Sequence, residues 1–174
     1  MDPDSLVKLL IALFLVLLNG FFVAAEFSIV KVRYSQIQLK AAEGNAVAKQ
    51  AEYIIKNLDA YLSATQLGIT LASLGLGFVG ESAMHHIFTD LFNYWDIAFL
   101  QKNIDTISLV SSFLLVTVLH IVFGELVPKS IAIRKSEPTT LFIAYPLHLF
   151  YNIFRPFIWL MNSLSNAFLK MIKI

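Results

Sequence analysis

Long runs without a charged residue limit what this sequence can fold into. Three of the long runs cover residues 9–25, 60–80 and 106–124. A helix that crosses a membrane needs about 20 mostly apolar residues, and the apolar pattern extends the first run over Leu6–Val30. We therefore predict an all-α membrane protein with three transmembrane helices, at about 6–30, 60–80 and 106–127.

Composition supports this class and argues against several others. The 174 residues are 57% hydrophobic and 14% charged, with mean hydropathy +0.71, whereas soluble domains carry about 25% charged residues. The net charge of +1 gives no electrostatic support for a nucleic-acid partner. The absence of cysteine excludes disulfides, thiolate metal sites and cysteine nucleophiles. Since no nucleophile–base set stands out either, we expect no enzyme.

The first apolar run predicts a retained helix rather than a signal peptide. It begins with the acidic MDPD. It is also longer than the apolar region of a signal peptide, which is roughly 7–15 residues. Lysine and arginine concentrate in segments 31–59 and 129–137, so we expect both segments to be cytoplasmic. The N-terminus would then lie outside, and the tail, with Lys170 and Lys173, in the cytoplasm. The segment expected outside is acidic, with Glu81, Asp90, Asp96 and Asp105 against Lys102.

A fourth apolar stretch, after Glu137, is flanked by basic residues on both sides. Pro146 and Pro156 interrupt it, and proline inside a helix removes a hydrogen bond and obstructs the preceding turn. We predict two short helices, about 139–154 and 157–171, at or re-entering the cytoplasmic face. A fourth full span is the alternative.

Segment 34–57 is charged and alanine-rich. Gly44-Asn45 interrupts an apolar pattern with helical spacing, which predicts one or two amphipathic helices against the cytoplasmic surface. A solvated linker helix is the alternative. Together with 139–171, this segment would form a juxtamembrane belt. The residues that carry the pattern are Ile37, Ala41, Ala48, Ala51 and Ile55.

Polar residues inside the spans indicate where function lies, because they are costly in a membrane and usually face a cavity or protein. In the second helix, small residues at Ala64, Gly68, Ala72 and Gly75 suit helix packing. A separate stripe needs hydrogen-bond partners and favours a cavity, although packing alone is the alternative. Its members are Gln66, Thr70, Ser73, Gly77 and Glu81.

In the first helix, Asn19 and Glu26 are seven residues apart and share a face. Gly20 beside Asn19 allows another helix to approach closely or this helix to bend, and Ser28 follows Glu26. We include Glu26 and Ser28 among the candidate ligands. The alternative for Glu26 is an interfacial ion pair with a basic residue that follows the helix.

The third helix carries the sharpest local signal, at Gly124, Glu125 and Pro128. The ring of Pro128 obstructs the carbonyl of Gly124, four residues back, so we predict that the helix breaks between Gly124 and Pro128. A free carbonyl beside a carboxylate suits a hard cation that wants oxygen ligands. The alternative is a plain helix end with Glu125 paired to Lys129. Two further polar residues share this face: Thr117 and His120.

Three stretches resemble one family: NGFFVAAEFSIVKVR at 19–33, YLSATQLGITLASLGLGFVGE at 61–81 and FGELVPKSIAIR at 123–134. Together they resemble the transmembrane domain of the CorC/cyclin-M (CNNM) magnesium transport family over essentially the whole chain. The FGE-x-x-P-K stretch is the most specific part.

The resemblance implies a homodimer with three transmembrane helices per subunit and a cytoplasmic belt. It also implies Mg²⁺ export coupled to Na⁺ influx through an inward-facing acidic cavity in the cell membrane. A cytoplasmic CBS-domain pair that binds ATP is implied as well, and it is not within these 174 residues.

Carried over position by position, the resemblance places Gly124 and Glu125 in the ion site. The family often has asparagine where this chain has Ile69 and Ser73, and serine where it has Val23. The candidate ligands are therefore Glu125, Gly124, Ser73, Thr70, Ser28 and Glu26. The competing hypothesis is a membrane regulator that binds a cation without moving it.

Overall fold

The structure, a computed structural model, describes the backbone of residues 3–95 and 103–172. Within these ranges it describes every side chain except those of residues 3, 4, 81–83, 86 and 95. Four charges of the orientation argument lie outside the described side chains: Glu81, Asp96, Lys102 and Lys173.

The described chain is helical and contains no strand, which confirms the predicted fold class. Three stretches are long and apolar enough to cross a membrane: Ser5–Lys31, Leu58–Gly80 and Ile104–Arg134. The helices are α1 Pro3–Lys31, α2 Tyr34–Ala42, α3 Ala46–Lys56, α4 Leu58–Trp95, α5 Ile104–Leu119, a π-helical segment His120–Leu126, α6 Val127–Arg134 and α7 Ser136–Met171.

The chain divides into two compact units. The bundle unit contains the described residues of Met1–Gly20 and Ile69–Pro128, and the belt unit contains those of Phe21–Gly68 and Lys129–Ile174. Each unit has its own packed apolar residues and is described separately.

Small residues of α4 permit close packing in the bundle unit. Ala72 is buried, and a Cβ atom on Gly75 would stand 3.3 Å from a methyl group of Leu15. The small-residue series of α4 is thus a packing face, as predicted. The buried cluster here consists of Ala12, Val16 and Leu76, with Leu15 and Val116 packed against it.

The belt unit confirms the break at Gly44-Asn45. Gly44 adopts φ +93°, a left-handed conformation that suits glycine. The Asn45 side chain then accepts a hydrogen bond from Ala48 N and caps α3. Because α2 packs on α3 and α3 on α7, this segment is not a solvated linker. The buried positions are Ile37, Ala41, Ala48, Ala51 and Ile54, the last in place of the expected Ile55.

An aromatic cluster occupies the centre of the belt unit. Tyr61 is fully buried, and its hydroxyl forms a hydrogen bond with His148 Nδ1. The ring of Tyr151 lies 4.7 Å from that of Tyr61, centroid to centroid, and the ring of Tyr53 lies 6.3 Å away. A neighbouring cluster consists of Ala64, Leu67 and Ile158, with Phe150, Tyr151, Phe154 and Met161 packed against it.

The predicted pair of short helices in 139–171 is wrong, because α7 continues through both Pro146 and Pro156. A proline inside a helix costs about 3 kcal/mol. Leu147 follows the first proline and Ile158 lies two residues after the second, and both are buried. Each such burial contributes about 1.5–3 kcal/mol, which offsets the lost hydrogen bonds.

Helix α4 continues beyond its predicted end at residue 80 and reaches Trp95. No proline stands between Gly80 and Trp95 to stop it. Aromatic side chains four residues apart support this extension, since the rings of Phe88 and Phe92 lie 5.6 Å apart. The apolar span itself ends at Gly80, as predicted.

Candidate cation site

The predicted break between Gly124 and Pro128 takes the form of a π-helical segment, so the prediction of a break is corrected to a widened turn. The segment covers seven residues, His120–Leu126, and α6 begins directly after it. A π turn bonds each N–H to the carbonyl five residues back. The backbone therefore absorbs Pro128 without ending the helix.

The carbonyl of Gly124, which Pro128 obstructs, is bonded by a side chain. Asn19 Nδ2 of α1 donates a hydrogen bond to Gly124 O at 3.0 Å. Asn19 and Gly124 are both buried. The carbonyl expected from the sequence to be free thus has a hydrogen-bond donor, which is an amide of another helix.

Asn19 also connects to α4. Its Oδ1 accepts a hydrogen bond from Ser73 Oγ at 3.1 Å. One carboxamide thereby joins three helical segments of the bundle unit, with its nitrogen on Gly124 and its oxygen on Ser73. We call these three residues the Asn19 network.

Close backbone contact holds the Asn19 network in register. A Cβ atom on Gly20 would stand 2.9 Å from Pro128 Cγ and 3.0 Å from Phe123 O. Only glycine fits there without a shift, which confirms the predicted close approach. A Cβ on Gly124 would stand 3.2 Å from Asn19 Nδ2, so this glycine also leaves the amide its space.

Glu125 extends beside the network. Its carboxylate is half-exposed, and Oε1 lies 3.4 Å from His120 Nε2. The other imidazole nitrogen, Nδ1 of His120, is buried without a hydrogen-bond partner among the described residues. Glu125 is therefore half-exposed on the single chain and directly follows Gly124 in the sequence.

A cavity of about 190 Å³ adjoins the network. Its polar side chains are Ser73, Thr117 and His120. A water molecule occupies about 30 Å³ in the liquid, so the cavity has room for several waters. Its apolar walls are Leu76, Gly77, Phe113 and Val116.

The donor set favours a hard, partly hydrated cation. No group of three or more histidine, aspartate or glutamate side chains is placed to hold a metal within the described residues. The oxygens at hand are instead one carboxylate, backbone and amide carbonyls, and hydroxyls. Mg²⁺ takes oxygen ligands and keeps several waters when it binds proteins, and this set suits it.

Comparison with known sequences decides the family. The sequence model of the cyclin M transmembrane N-terminal domain family matches residues 10–174. This chain belongs to that family.

Named relatives of the cyclin M domain come from several bacteria. The UPF0053 protein YhdT of Bacillus subtilis is 46% identical over 162 residues, which cover 93% of this chain and 34% of the relative. Protein Rv1841c of Mycobacterium tuberculosis is 34% identical over 169 residues, covering 97% and 47%. The polyamine export protein of Haemophilus influenzae is 26% identical over 161 residues, covering 92% and 36%. The chain thus spans less than half the length of these curated relatives.

Two positions where the cyclin M family often carries a polar side chain are apolar here. Val23 is buried in the belt unit, and Ile69 is half-buried in the bundle unit. Neither can supply a side-chain oxygen. A cation at Gly124 and Glu125 would therefore depend more on Asn19, Ser73 and water.

The other stripe residues of α4 differ in exposure. Ser73 is half-buried and joins the Asn19 network, whereas Gln66, Thr70 and Gly77 are exposed on the single chain. Thr70 lies three residues before Ser73 in the same helix. The stripe therefore brings Ser73 into the network and leaves Thr70 at the chain surface.

Glu26 and Ser28 belong to the belt unit. Ser28 is fully buried and its hydroxyl donates to Ala25 O of its own helix at 3.1 Å. Glu26 is half-buried and interacts electrostatically with Lys129. The Lys129 ammonium also lies 4.4 Å from the centre of the Phe27 ring.

Two residues of the site were not among the predicted ligands. Asn19 is the centre of the network, and His120 faces Glu125. The sequence did contain a signal for each, since Asn19 is a polar residue in an apolar span and His120 shares a helical face with Gly124. The sequence does not show that α1 contacts the π segment. That contact places Asn19 at the carbonyl of Gly124.

Proposed function

We propose that this domain transports Mg²⁺ across the cell membrane, as an exporter coupled to Na⁺ influx. One observation carries the proposal: inside an apolar span, a π-helical segment contains Gly124, whose carbonyl accepts a hydrogen bond from Asn19 of another helix, and Glu125 is the next residue. Irregular backbone at membrane depth is tolerated where it lines a cavity or is buried in protein. π turns inside α-helices are frequent at functional sites.

The chemistry of the site supports a cation over an anion. Carbonyl, carboxylate and hydroxyl oxygens point their negative ends to the ligand, and Mg²⁺ prefers six oxygens at about 2.0–2.1 Å. A carboxylate inside a membrane is costly, and such residues usually mark a substrate or ion pathway. Because few side-chain oxygens converge here, the transported ion would keep part of its water shell.

The wider proposal follows the family. We propose a homodimer with its N-terminus outside, its C-terminus in the cytoplasm and an acidic cavity open to the cytoplasm. In a full-length protein, we expect ATP-binding CBS domains in the part of the relatives that this chain does not span.

Flux into liposomes tests the proposal. The purified chain would be reconstituted, and uptake of Mg²⁺ measured with an enclosed fluorescent indicator, with and without an opposing Na⁺ gradient. We expect gradient-dependent flux that Glu125→Gln abolishes. Glu43→Gln is the matched control, because Glu43 is an exposed carboxylate in the turn between α2 and α3.

Two results would contradict the proposal. Flux in Glu125→Gln equal to that of the unmodified chain would remove Glu125 from the site. Calorimetric Mg²⁺ binding without flux would instead favour the regulator that binds a cation without moving it.

The relative from Haemophilus influenzae favours a second candidate, since its name assigns it polyamine export. A polyamine is an organic cation whose ammonium groups bind the same carboxylates and carbonyls. In the liposome assay, radiolabelled spermidine would replace Mg²⁺. Spermidine flux that requires Glu125, with no Mg²⁺ flux, would establish this second function.

A further inference from the structure

We propose that Asn19 is itself a cation ligand, and that its carboxamide turns over when the cation binds. This inference rests on the proposed cation site at Gly124 and Glu125. It starts from the two ends of one carboxamide: Nδ2 donates to Gly124 O at 3.0 Å, and Oδ1 accepts from Ser73 Oγ at 3.1 Å.

In the arrangement observed, the amide opposes a cation at Gly124. The N–H groups of Asn19 present positive charge at the carbonyl that would bind the ion. A cation on that carbonyl would lie next to the positive end of the amide. For the cation to bind, the carboxamide must therefore turn.

A half-turn of the carboxamide exchanges its nitrogen and oxygen with almost no change in shape, because the two ends are nearly the same size. The oxygen would then stand about 3.0 Å from Gly124 O, where Nδ2 stands now. Neighbouring oxygens around an octahedral Mg²⁺ with bonds of about 2.05 Å are about 2.9 Å apart. The two carbonyl oxygens would thus form one edge of the coordination shell.

Ser73 can follow this half-turn without losing its hydrogen bond. Its hydroxyl both donates and accepts. It donates to Asn19 Oδ1 in the arrangement observed, and after the half-turn it would accept from Asn19 Nδ2. Ser73 thereby supports both orientations, and its hydroxyl hydrogen becomes free to bind water in the adjoining cavity.

The cation decides which orientation is stable. With the carboxamide turned, two carbonyl oxygens face each other at about 3.0 Å and repel unless a cation lies between them. The cation binds only one of the two orientations well, and this difference shifts the population. Gly124 permits the half-turn because it has no side chain, whereas a Cβ there would stand 3.2 Å from Asn19 Nδ2.

Two substitutions separate ligation from mere structural support. Asn19→Asp keeps oxygens at both ends but cannot donate to Gly124 O. It should unfold at a lower temperature than the unmodified chain in EDTA and gain more thermal stability from MgCl₂. Asn19→Leu keeps the approximate size without any ligand atom, and should weaken Mg²⁺ binding at least about tenfold. Both would be measured on the 174-residue chain in lipid nanodiscs, by thermal unfolding and by titration calorimetry with MgCl₂.

Asn162→Asp is the matched control, because Asn162 Oδ1 also accepts a serine hydrogen bond, from Ser63 at 2.9 Å, in the belt unit. It should leave Mg²⁺ affinity unchanged. A direct readout of the carboxamide comes from the side-chain amide of Asn19 labelled with ¹⁵N. Its signal is assigned by its loss in Asn19→Asp. Its proton resonances should shift with MgCl₂ as the hydrogen bond to Gly124 breaks.

The outcomes distinguish this inference from the proposed function. If Glu125→Gln binds Mg²⁺ like the unmodified chain, the site itself is wrong and this inference falls with it. If Glu125→Gln loses binding while Asn19→Leu keeps it, the carboxamide is structural and only this inference is overturned. A loss of stability in Asn19→Asp that MgCl₂ does not reverse would overturn it as well.

Discussion

The two units use a hydrogen bond from serine to asparagine in different surroundings. In the belt unit, Ser63 donates to Asn162 at 2.9 Å, near an aromatic cluster. In the bundle unit, Ser73 donates to Asn19, and the same Asn19 bonds a backbone carbonyl beside a cavity. The same kind of hydrogen bond thus joins two side chains in the belt unit and adjoins a cavity in the bundle unit. The difference predicts that only the bundle unit responds to Mg²⁺.

The largest expected effect is in the belt unit. Tyr61→Ala would remove a fully buried ring from the aromatic cluster, and such truncations lower the free energy of unfolding by about 3–5 kcal/mol. Chemical unfolding in detergent micelles would measure it. Because Tyr61 is outside the Asn19 network, the loss should be equal with and without MgCl₂.

Tyr61→Phe is its control. It keeps the ring and leaves His148 Nδ1 without its hydroxyl partner, at a cost of about 1–3 kcal/mol. If MgCl₂ restored the free energy of unfolding of either variant, the proposed difference between the two units would be wrong.

Gly20→Ala should have the next largest effect. The added methyl group would meet Pro128 and the backbone of Phe123, and overpacking of this kind costs about 1–3 kcal/mol. Because α1 would shift from the π segment, Asn19 would lose its position at Gly124. Titration calorimetry should show Mg²⁺ binding weakened about tenfold.

A comparison for stability alone is Gly77→Ala, where the new Cβ would have no neighbour within 4 Å. Alanine is the better helix former by about 1 kcal/mol, so this variant should unfold no earlier than the unmodified chain. If Gly20→Ala binds Mg²⁺ as tightly as the unmodified chain, the close approach of α1 does not matter for the site.

Paired serine substitutions sharpen the comparison directly. Ser73→Ala and Ser63→Ala each remove one hydroxyl bonded to an asparagine, and each should lower the free energy of unfolding by about 1 kcal/mol. Only Ser73→Ala should also weaken Mg²⁺ binding, severalfold, in calorimetry. A matching loss in Ser63→Ala would mean that the effect on binding is a general loss of stability.

The smallest effect concerns a surface pair of the belt unit. Hydrogen bonds from Lys56 and then Tyr34 lower the pKa of Glu52 below its usual range. A lowered pKa gives stability that is present above the unfolded pKa, about 4.3, and lost as pH falls through the folded value. Glu52→Gln should therefore lower the unfolding temperature slightly at neutral pH and not at all in strong acid. A difference that persists in strong acid would rule out this ionic cause.

Much of the fold could be predicted, because a long run of apolar residues in a membrane protein indicates a transmembrane helix. The charge-free runs fixed three spans, and Gly44-Asn45 marked a turn through local chemistry. The continuation of α7 through two prolines could not be predicted, because the burial of Leu147 and Ile158 depends on partners distant in sequence. The prediction also ended α4 too early, at residue 80. The apolar span ends there, but the helix continues to Trp95.

The sequence predicted the backbone of the candidate site and two of its side chains, Ser73 and Glu125. It did not predict Asn19 or His120. Pro128 alone identifies the obstructed carbonyl, because the proline ring acts on a fixed neighbour four residues back. The partner of that carbonyl depends on which helix packs against the π segment. Asn19 could be recognised as a polar residue in a span, but the 105-residue separation from Gly124 contains no local signal for their contact.

The π segment also means that the chain carries one residue more here than a plain α-helix of the same rise would use. Deleting a single residue within 120–126 would let the backbone close into ordinary α turns without a gap. The part after the deletion would be restored to regular helix. The candidate site thus depends on one extra backbone residue. Deleting a single codon would remove that residue and keep the span.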